Sequence, residues 1–461
     1  MKLATLALLR CKFCGGTLQP ARRIPESGDE IESGTLRCVC GEIPVLGGIP
    51  ICRRGGRVDR MKQTSDAASS PGPEVRRLLN LIESGRSEEA LGLVLMPPGR
   101  WVRRQNLIAE ILPRWPRDRL RRIAEDSWTR QAAREAAGFV SPSSTMTVRE
   151  VFERYYSGDR RSELRHHFFH RFAQPRHLTS LSLATLLWDD AGPGLDLACG
   201  FGHALHILTL RAPGRTWIGL DRNFFSLYVA RRWVAPRAEY VYAEADGAFP
   251  FSTGAFSGVL CADAFHNFLR KCTCAEELRR VTTDDGTIVL SRVGNALQEP
   301  REGFELPPDA YRALFPGEAC RLVADRELLD RYLSGRGPDL SRDTRPGVLA
   351  EEKWISLVVS RNPGVFRDHG PLESWPHGLG KRARNPLYVA NGPTAGRENG
   401  FTLTMPSEWF EFENGGCRVY MPEHVTLDDR AESDLNSGKD SAEIEELVRR
   451  CVVLGFPEKY L

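Results

Sequence analysis

Residues 194–221 read GLDLACGFGHALHILTLRAPGRTWIGLD, and the rest of the chain is placed most easily around them. Leu195-Asp196-Leu197-Ala198 is a short apolar run entered from Gly192, Pro193 and Gly194, which predicts a buried strand leaving a turn. Cys199-Gly200-Phe201-Gly202 makes the next turn, and His203 to Leu210 repeats apolar residues at helical spacing through Leu205, Leu208 and Leu210. The glycines therefore sit where a strand passes into a helix N-terminus, where a ligand can approach backbone closely. Thr216 to Leu220 reads as a second strand closed by Asp221, an acid able to accept two hydroxyl hydrogen bonds. A glycine turn alone also marks ordinary tight turns, so its meaning depends on the segments C-terminal to it.

Those segments alternate. Ala243-Glu244-Ala245-Asp246 closes a third strand beginning near Tyr240, Gly258 to Asp263 reads as a fourth, Ala275 to Val281 as a helix and Gly286 to Leu290 as a fifth strand. Such alternation predicts an α/β fold with a parallel, Rossmann-like sheet and ligands at the carboxyl ends of its strands. Together the segments resemble the class I S-adenosylmethionine-dependent methyltransferases. DLACGFG (196–202) is similar to their D-x-G-C-G-x-G motif and GLDRN (219–223) to their second-strand acid. AEADGAFPF (243–251) and ELRRVTTDDGTIVL (277–290) resemble two later segments, so the resemblance covers roughly 179–292. Ala198 stands where the family usually has its first glycine, and Thr283-Asp284-Asp285-Gly286 replaces Lys-Pro-Gly-Gly.

The resemblance implies S-adenosyl-L-methionine as cofactor and a set of residues to hold it. Asp196, Gly200 and Gly202, with Ala198 in the same turn, would line the methionine moiety. Asp221, with Arg222 beside it, would bind the ribose, and Asp246 with Ala245 would meet the adenine. Cys261 to Phe265, Asp263 included, would lie beneath the sulfonium. A turn acid for Asp221 and a helix N-cap for Asp246 stay open as alternatives. His266, just past the fourth strand, is the candidate base, because neutral imidazole accepts protons near pH 7. A strand-capping or core histidine is the other reading. The same loop lacks the N-P-P-Y or D-P-P-Y signature of amino-methylating DNA and glutamine enzymes, leaving O-, C- and small-molecule N-methylation open.

Thr147-Val148-Arg149-Glu150 has capping-box spacing and opens a helix through Tyr155-Tyr156; further helices are expected over 163–172 and 178–187. In the methyltransferase family helices at this place cover the cofactor, so Tyr155, Tyr156, His166, His167, Phe169 and His170, with Phe265, are candidates for a substrate-binding lid. Ordinary helix packing accounts for them as well.

At 461 residues, the chain has room for two or three domains. A net charge of +3 gives no reason to expect a polyanionic partner, and no stretch reaches membrane-spanning length. A cytoplasmic protein is expected, whose twelve cysteines read as thiols and metal ligands rather than a disulfide framework. Cys11-Lys12-Phe13-Cys14-Gly15-Gly16 is a zinc-knuckle pattern, and Cys38 and Cys40 offer a second pair, one residue shorter than usual. Residues 1–55 resemble the small zinc-ribbon activators of tRNA and protein methyltransferases; Cys52 is a possible substitute ligand, and a zinc-free ribbon remains the alternative. Four thiolates would make such a zinc structural.

The Arg-, Gly-, Ser- and Pro-rich 56–73 reads as a linker that tethers the ribbon, and 74–145 as a helical connector. Within it Val75 to Leu95 predicts a helical hairpin, and Trp101 to Ala137 a helix whose arginines are more simply a solvated face than an RNA contact. The methyltransferase domain takes 146–360, with helices over 306–333 and a late strand Trp354–Ser360 pairing antiparallel at the sheet edge. A small α+β extension, 361–461, suits substrate closure or a homodimer. The expected acceptor is a small molecule or peptide-like metabolite; nucleic acid or protein of the translation machinery, or a non-catalytic scaffold, are the alternatives.

Overall fold

A computed structural model describes residues 1–21, 29–54, 72–95, 145–156, 162–298, 303–391 and 400–461. Most of the expected linker and the Arg-rich helix over 101–137 lie outside the described residues.

The chain opens with a four-stranded antiparallel sheet: β1 (Gln19–Pro20), β2 (Gly34–Cys38), β3 (Gly41–Leu46) and β4 (Ile49–Pro50). Pairing of Cys38 with Gly41 leaves Val39-Cys40 as a two-residue hairpin loop, which turns both thiols to one end of the sheet. The helical hairpin comes next as Pro73–Glu83 and Ser87–Leu95.

The central sheet has seven strands: β5 (Gly194–Leu197), β6 (Trp217–Asp221), β7 (Glu239–Tyr242), β8 (Phe256–Ala262), β9 (Thr282–Gly294), β10 (Cys320–Ala324) and β11 (Trp354–Ser360). Their order is β10-β11-β9-β8-β5-β6-β7, and only β11 runs antiparallel to its neighbours. Strand order reverses between β5 and β8, the kind of crevice at which open α/β sheets bind ligands. Leu195, Leu197, Ile218, Val259, Val289 and Leu290 are fully buried, as expected of strands covered on both faces.

Two expectations need correcting here. Residues 306–333 are not all helix: β10 interrupts them between the helices Pro308–Ala313 and Asp325–Leu333. Because β10 takes the edge, β11 lies one strand inside it, pairing with both β9 and β10.

The N-terminal sheet is docked on the opposite edge rather than hanging free. Ile51 bridges Tyr242 in parallel and the Cys52 amide donates to the Tyr242 carbonyl at 2.9 Å, so the chain after β4 continues the sheet beyond β7. Arg53 reaches the Tyr242 hydroxyl at 2.8 Å and Glu244 at 3.0 Å, while Leu9 bridges Phe251. The edge strand is thereby covered by the chain's own N-terminal part.

The capping box is present: the Thr147 amide donates to Glu150 Oε2 at 2.8 Å and the Glu150 amide to Thr147 Oγ1 at 3.4 Å. It starts the helix Val148–Tyr156, followed by helices Ser162–Phe169 and Pro175–Ala184. The extension adds β12 (Lys381–Arg384), β13 (Tyr388–Ala390), β14 (Gly400–Leu403), β15 (His424–Thr426) and β16 (Val453–Phe456). β12 pairs with β16, and β13, β14 and β15 form a second small sheet. The helix Ala442–Arg449 precedes β16. No helix among the described residues is long and apolar enough to cross a membrane.

Candidate functional site

The glycine turn between β5 and the helix His203–Arg211 is left-handed at three residues: Ala198 (φ 58°), Gly200 (φ 52°) and Gly202 (φ 75°). A side chain added at Gly200 would meet nothing within 4 Å, so its backbone faces open space. One added at Gly202 would press on Ala230 Cβ at 3.0 Å and the Tyr240 hydroxyl at 3.2 Å. One glycine thus exposes backbone to a ligand and the other lets helix and sheet close up. Ala198 adopts the conformation usually left to glycine, at a cost of roughly 1–2 kcal/mol.

Asp221 holds this turn from the end of β6. Its Oδ2 accepts the Gly200 amide at 3.0 Å and its Oδ1 the Asn223 amide at 2.8 Å, leaving a lone pair on each oxygen for a further donor. Burial raises its pKa above the usual carboxylate range, against those amides. Asp196 is buried at 2% exposure, and burial, then the charge of Asp221, pushes its pKa well up. Arg222 is exposed and Ala245 buried. Asp246 Oδ1 accepts the amides of Leu269 and Arg270 at 3.0 and 3.3 Å, tying it to the entry of the helix Lys271–Val281. That is close to the capping alternative, although the acid comes from a distant loop.

The ends of β8 and β9 are built differently. Asp263 (φ 55°) and Arg292 (φ 54°) are both left-handed without being glycine. Asp263 takes three guanidinium groups: Arg171 at 3.1 Å, Arg176 at 3.3 Å and Arg292 at 3.4 Å. Arg176 also pairs with Glu413 of the extension at 3.0 Å, and Arg292 with Asp325 at 2.6 Å. Burial would raise the Asp263 pKa, but Arg176, Arg171 and Arg292 reverse this and hold it far below the carboxylate range. Nothing in the sequence singles out these arginines. Arg171 and Arg176 stand 92 and 87 residues from Asp263, and no local pattern encodes such pairs.

His266 lies beside this cluster, 7% exposed, with its ring edge-on to Trp354 at 5.2 Å. Its Nε2 is 3.1 Å from Asn267 Nδ2, and its buried Nδ1 has no hydrogen-bond partner. Burial lowers its pKa despite Asp263 and Glu305, which favours the neutral ring. Cys261 and Phe265 are fully buried core residues, Phe265 packing on Phe268 and Tyr311.

The candidate lid residues divide. Tyr155 stacks on Phe225 at 3.4 Å, and Tyr156 packs edge-on to Phe152. Phe201, inside the glycine turn, meets Phe152 at 4.7 Å and Phe168 at 4.8 Å, so both covering helices rest on that turn. His167 contacts Arg171 at 3.4 Å and Trp409 of the extension at 5.8 Å. His170, pushed down to about 3 chiefly by burial, packs on Phe410, and His166 stacks over it. Phe169 stacks on Tyr460.

The ligating atoms of Cys11, Cys14, Cys38 and Cys40 all lie within 4.8 Å of one another. Individual Sγ separations are 3.4 Å for Cys11 and Cys40, 3.3 Å for Cys38 and Cys40, and 3.9 Å for Cys14 and Cys38. A tetrahedral zinc about 2.3 Å from each sulfur spaces the sulfurs about 3.8 Å apart, so the set fits such an ion. Arg54 Nη2 lies 2.7 Å from Cys40 Sγ, where it can offset thiolate charge. Cys52 is outside this group, buried in the core next to β7.

Residues 195–290 match the family model described as "Methyltransferase domain". A demethylmenaquinone methyltransferase of Thermus thermophilus is 40% identical over 98 residues, 21% of this chain and 44% of the relative's length. The chain thus spans less than half of that relative. Among solved structures, the complex between the Haloferax volcanii Trm112 methyltransferase activator and a methyltransferase is 17% identical, with a TM-score of 0.32. It covers 45% of this chain and 96% of that one. A TehB-like methyltransferase from Corynebacterium glutamicum is 14% identical over 40% of this chain and 86% of its own, with a TM-score of 0.31. Residues 195–290 thus match a methyltransferase domain, and they lie within the Rossmann-like seven-stranded sheet.

Proposed function

We propose that the chain is an S-adenosylmethionine-dependent methyltransferase acting on a small-molecule or peptide-like acceptor, as in specialised biosynthesis. The observation that carries the cofactor reading is the open backbone at Gly200 held by Asp221. S-adenosylmethionine, when bound, supplies a methyl group activated for in-line displacement. Asp221 would receive the ribose hydroxyls on its remaining lone pairs, and the turn 198–202 would hold the methionine end, with Ala245 and Asp246 toward the adenine. Holding the acceptor in line can itself contribute roughly 7–11 kcal/mol. The neutral His266, with its buried Nδ1, is the candidate base for a protonated acceptor.

The small-acceptor reading is supported by the cover over the strand ends: the helices 148–156 and 162–169 and the Glu413 segment close that side. Demethylmenaquinone, the acceptor in the relative's name, is in keeping with it. The cysteine-bearing sheet favours a second reading, an RNA or protein methyltransferase of the translation machinery, for which salt-sensitive RNA binding is the test. Both readings fit a cytoplasmic enzyme with a structural zinc.

Acceptor screening with S-adenosylhomocysteine as the product readout tests the activity. Formation of that product supports an enzyme; its absence with every acceptor from a chain that binds the cofactor leaves a scaffold. Elemental analysis should find one zinc per chain, lost in Cys38→Ser with Cys40→Ser. A metal-free, folded wild-type chain would remove the zinc.

A further inference from the structure

The segment Lys459–Tyr460 lies far along the chain from the glycine turn, with 257 positions between Tyr460 and His203, yet it reaches the turn's far side. The Tyr460 side chain is fully buried. Its hydroxyl lies 2.9 Å from His203 Nε2 and 3.2 and 3.1 Å from the carbonyl oxygens of Phe168 and Phe169. The hydroxyl can donate its single proton to one of these carbonyls, and its bond with His203 Nε2 takes its direction from the ring's tautomer. Burial lowers the His203 pKa, which favours the neutral ring. Around the hydroxyl, the ring stacks on Phe169 at 5.4 Å and on Phe456 at 5.4 Å, and meets Phe172 edge-on at 5.1 Å.

The same segment also holds the first covering helix. The Val148 amide donates to the Lys459 carbonyl at 2.8 Å and the Arg149 amide to the Tyr460 carbonyl at 3.2 Å. One short segment therefore ties together the start of helix 148–156, the end of helix 162–169, and His203, the first residue of the helix after the glycine turn. Between these anchors stands Phe201, gripped by Phe152 and Phe168. The turn contains Ala198 in a left-handed conformation, which persists only where its surroundings over-determine it.

We infer that Tyr460 is a positioning residue for the cofactor turn: through His203 and the two covering helices, it fixes the backbone meant to receive the methionine end of S-adenosylmethionine. This rests on the cofactor reading above. The test is calorimetric titration of the full chain and of Tyr460→Phe, which keeps the ring and removes the hydroxyl. The probes are S-adenosylhomocysteine and 5′-methylthioadenosine, which lacks the amino-acid end.

The expected result is S-adenosylhomocysteine binding weakened about tenfold, the size of one lost buried hydrogen bond, with methylthioadenosine within about twofold of wild type. Equal weakening of both probes, or of neither, overturns the inference while leaving the cofactor reading intact. A wild-type chain that binds neither probe overturns that reading instead. Amide exchange gives a second measurement should the variant be poorly stable: exchange at 198–203 accelerates in Tyr460→Phe while β6 and β7 keep their rates. Uniform acceleration overturns the inference.

Discussion

The carboxyl ends of β5 and β6 and those of β8 and β9 belong to one sheet, and they treat their polar groups in opposite ways. At β5 and β6, Gly200 faces open space and Asp221 spends one lone pair of each oxygen on a backbone amide. At β8 and β9, Asp263 is enclosed by three arginines, two of which have further carboxylates of their own. The first end keeps capacity for a ligand. The second uses its charges to lock the covering segment, the sheet and the extension to one another. Both contain left-handed residues other than glycine, Ala198 in one and Asp263 and Arg292 in the other, as is common where packing over-determines a functional region.

The sharpest way to break this contrast is Asp263→Asn. Removing one partner from a buried ion cluster leaves its guanidinium groups under-compensated, so the variant should lose about 3–5 kcal/mol in denaturant unfolding. A loss under about 1 kcal/mol would mean the second end is as loosely filled as the first.

A pH titration of stability sharpens it further. His206, in the helix after the glycine turn, and His377, bonded to Tyr332 and the Val448 carbonyl, are held down to about 4, chiefly by burial. Unfolded histidine titrates near 6.5, so between those values the unfolded chain binds more protons than the folded one. Stability should therefore fall as pH drops from about 6.5 to about 4, and His377→Gln should flatten the slope. Asp263 adds a second loss further down: its lowered pKa contributes stability fully present above about 4 and lost as pH falls further toward its folded value. Unfolding midpoints from about pH 7 to below pH 4 check both.

Ala198→Gly gives the smallest expected effect. Relief of roughly 1–2 kcal/mol of left-handed strain is offset by roughly 0.5–1 kcal/mol of glycine entropy, for a net gain of about 1 kcal/mol or less in thermal unfolding. Destabilisation would show that the Ala198 methyl is packed rather than strained.

How much was legible depends on how local each signal is. The run 194–221 contains two strands, a turn and a helix within one stretch, and the structure has all four. The four cysteines were legible for the same reason, and the short Cys38-Val39-Cys40 spacing is explained by a two-residue hairpin that the sequence did not disclose. β10 was hidden because Cys320–Ala324 is a five-residue stretch, apolar apart from Arg321, with helices on both sides, and so short a run has no period that separates strand from helix. Arg171, Arg176, Arg292 and Tyr460 were missed for a different reason. Each acts through partners tens to hundreds of residues away, and a buried ion cluster or hydroxyl anchor has no spacing rule.

The central claim is that the Asp221 end of the sheet holds S-adenosylmethionine, and the most direct measurement is calorimetric titration of the zinc-analysed chain with S-adenosylmethionine and S-adenosylhomocysteine, beside Asp221→Ala. The account predicts that wild type binds both, and that the variant loses about 3–6 kcal/mol of affinity, the size of two hydrogen bonds to a charged acceptor. A folded wild-type chain that binds neither, or a variant that binds as tightly as wild type, would contradict it.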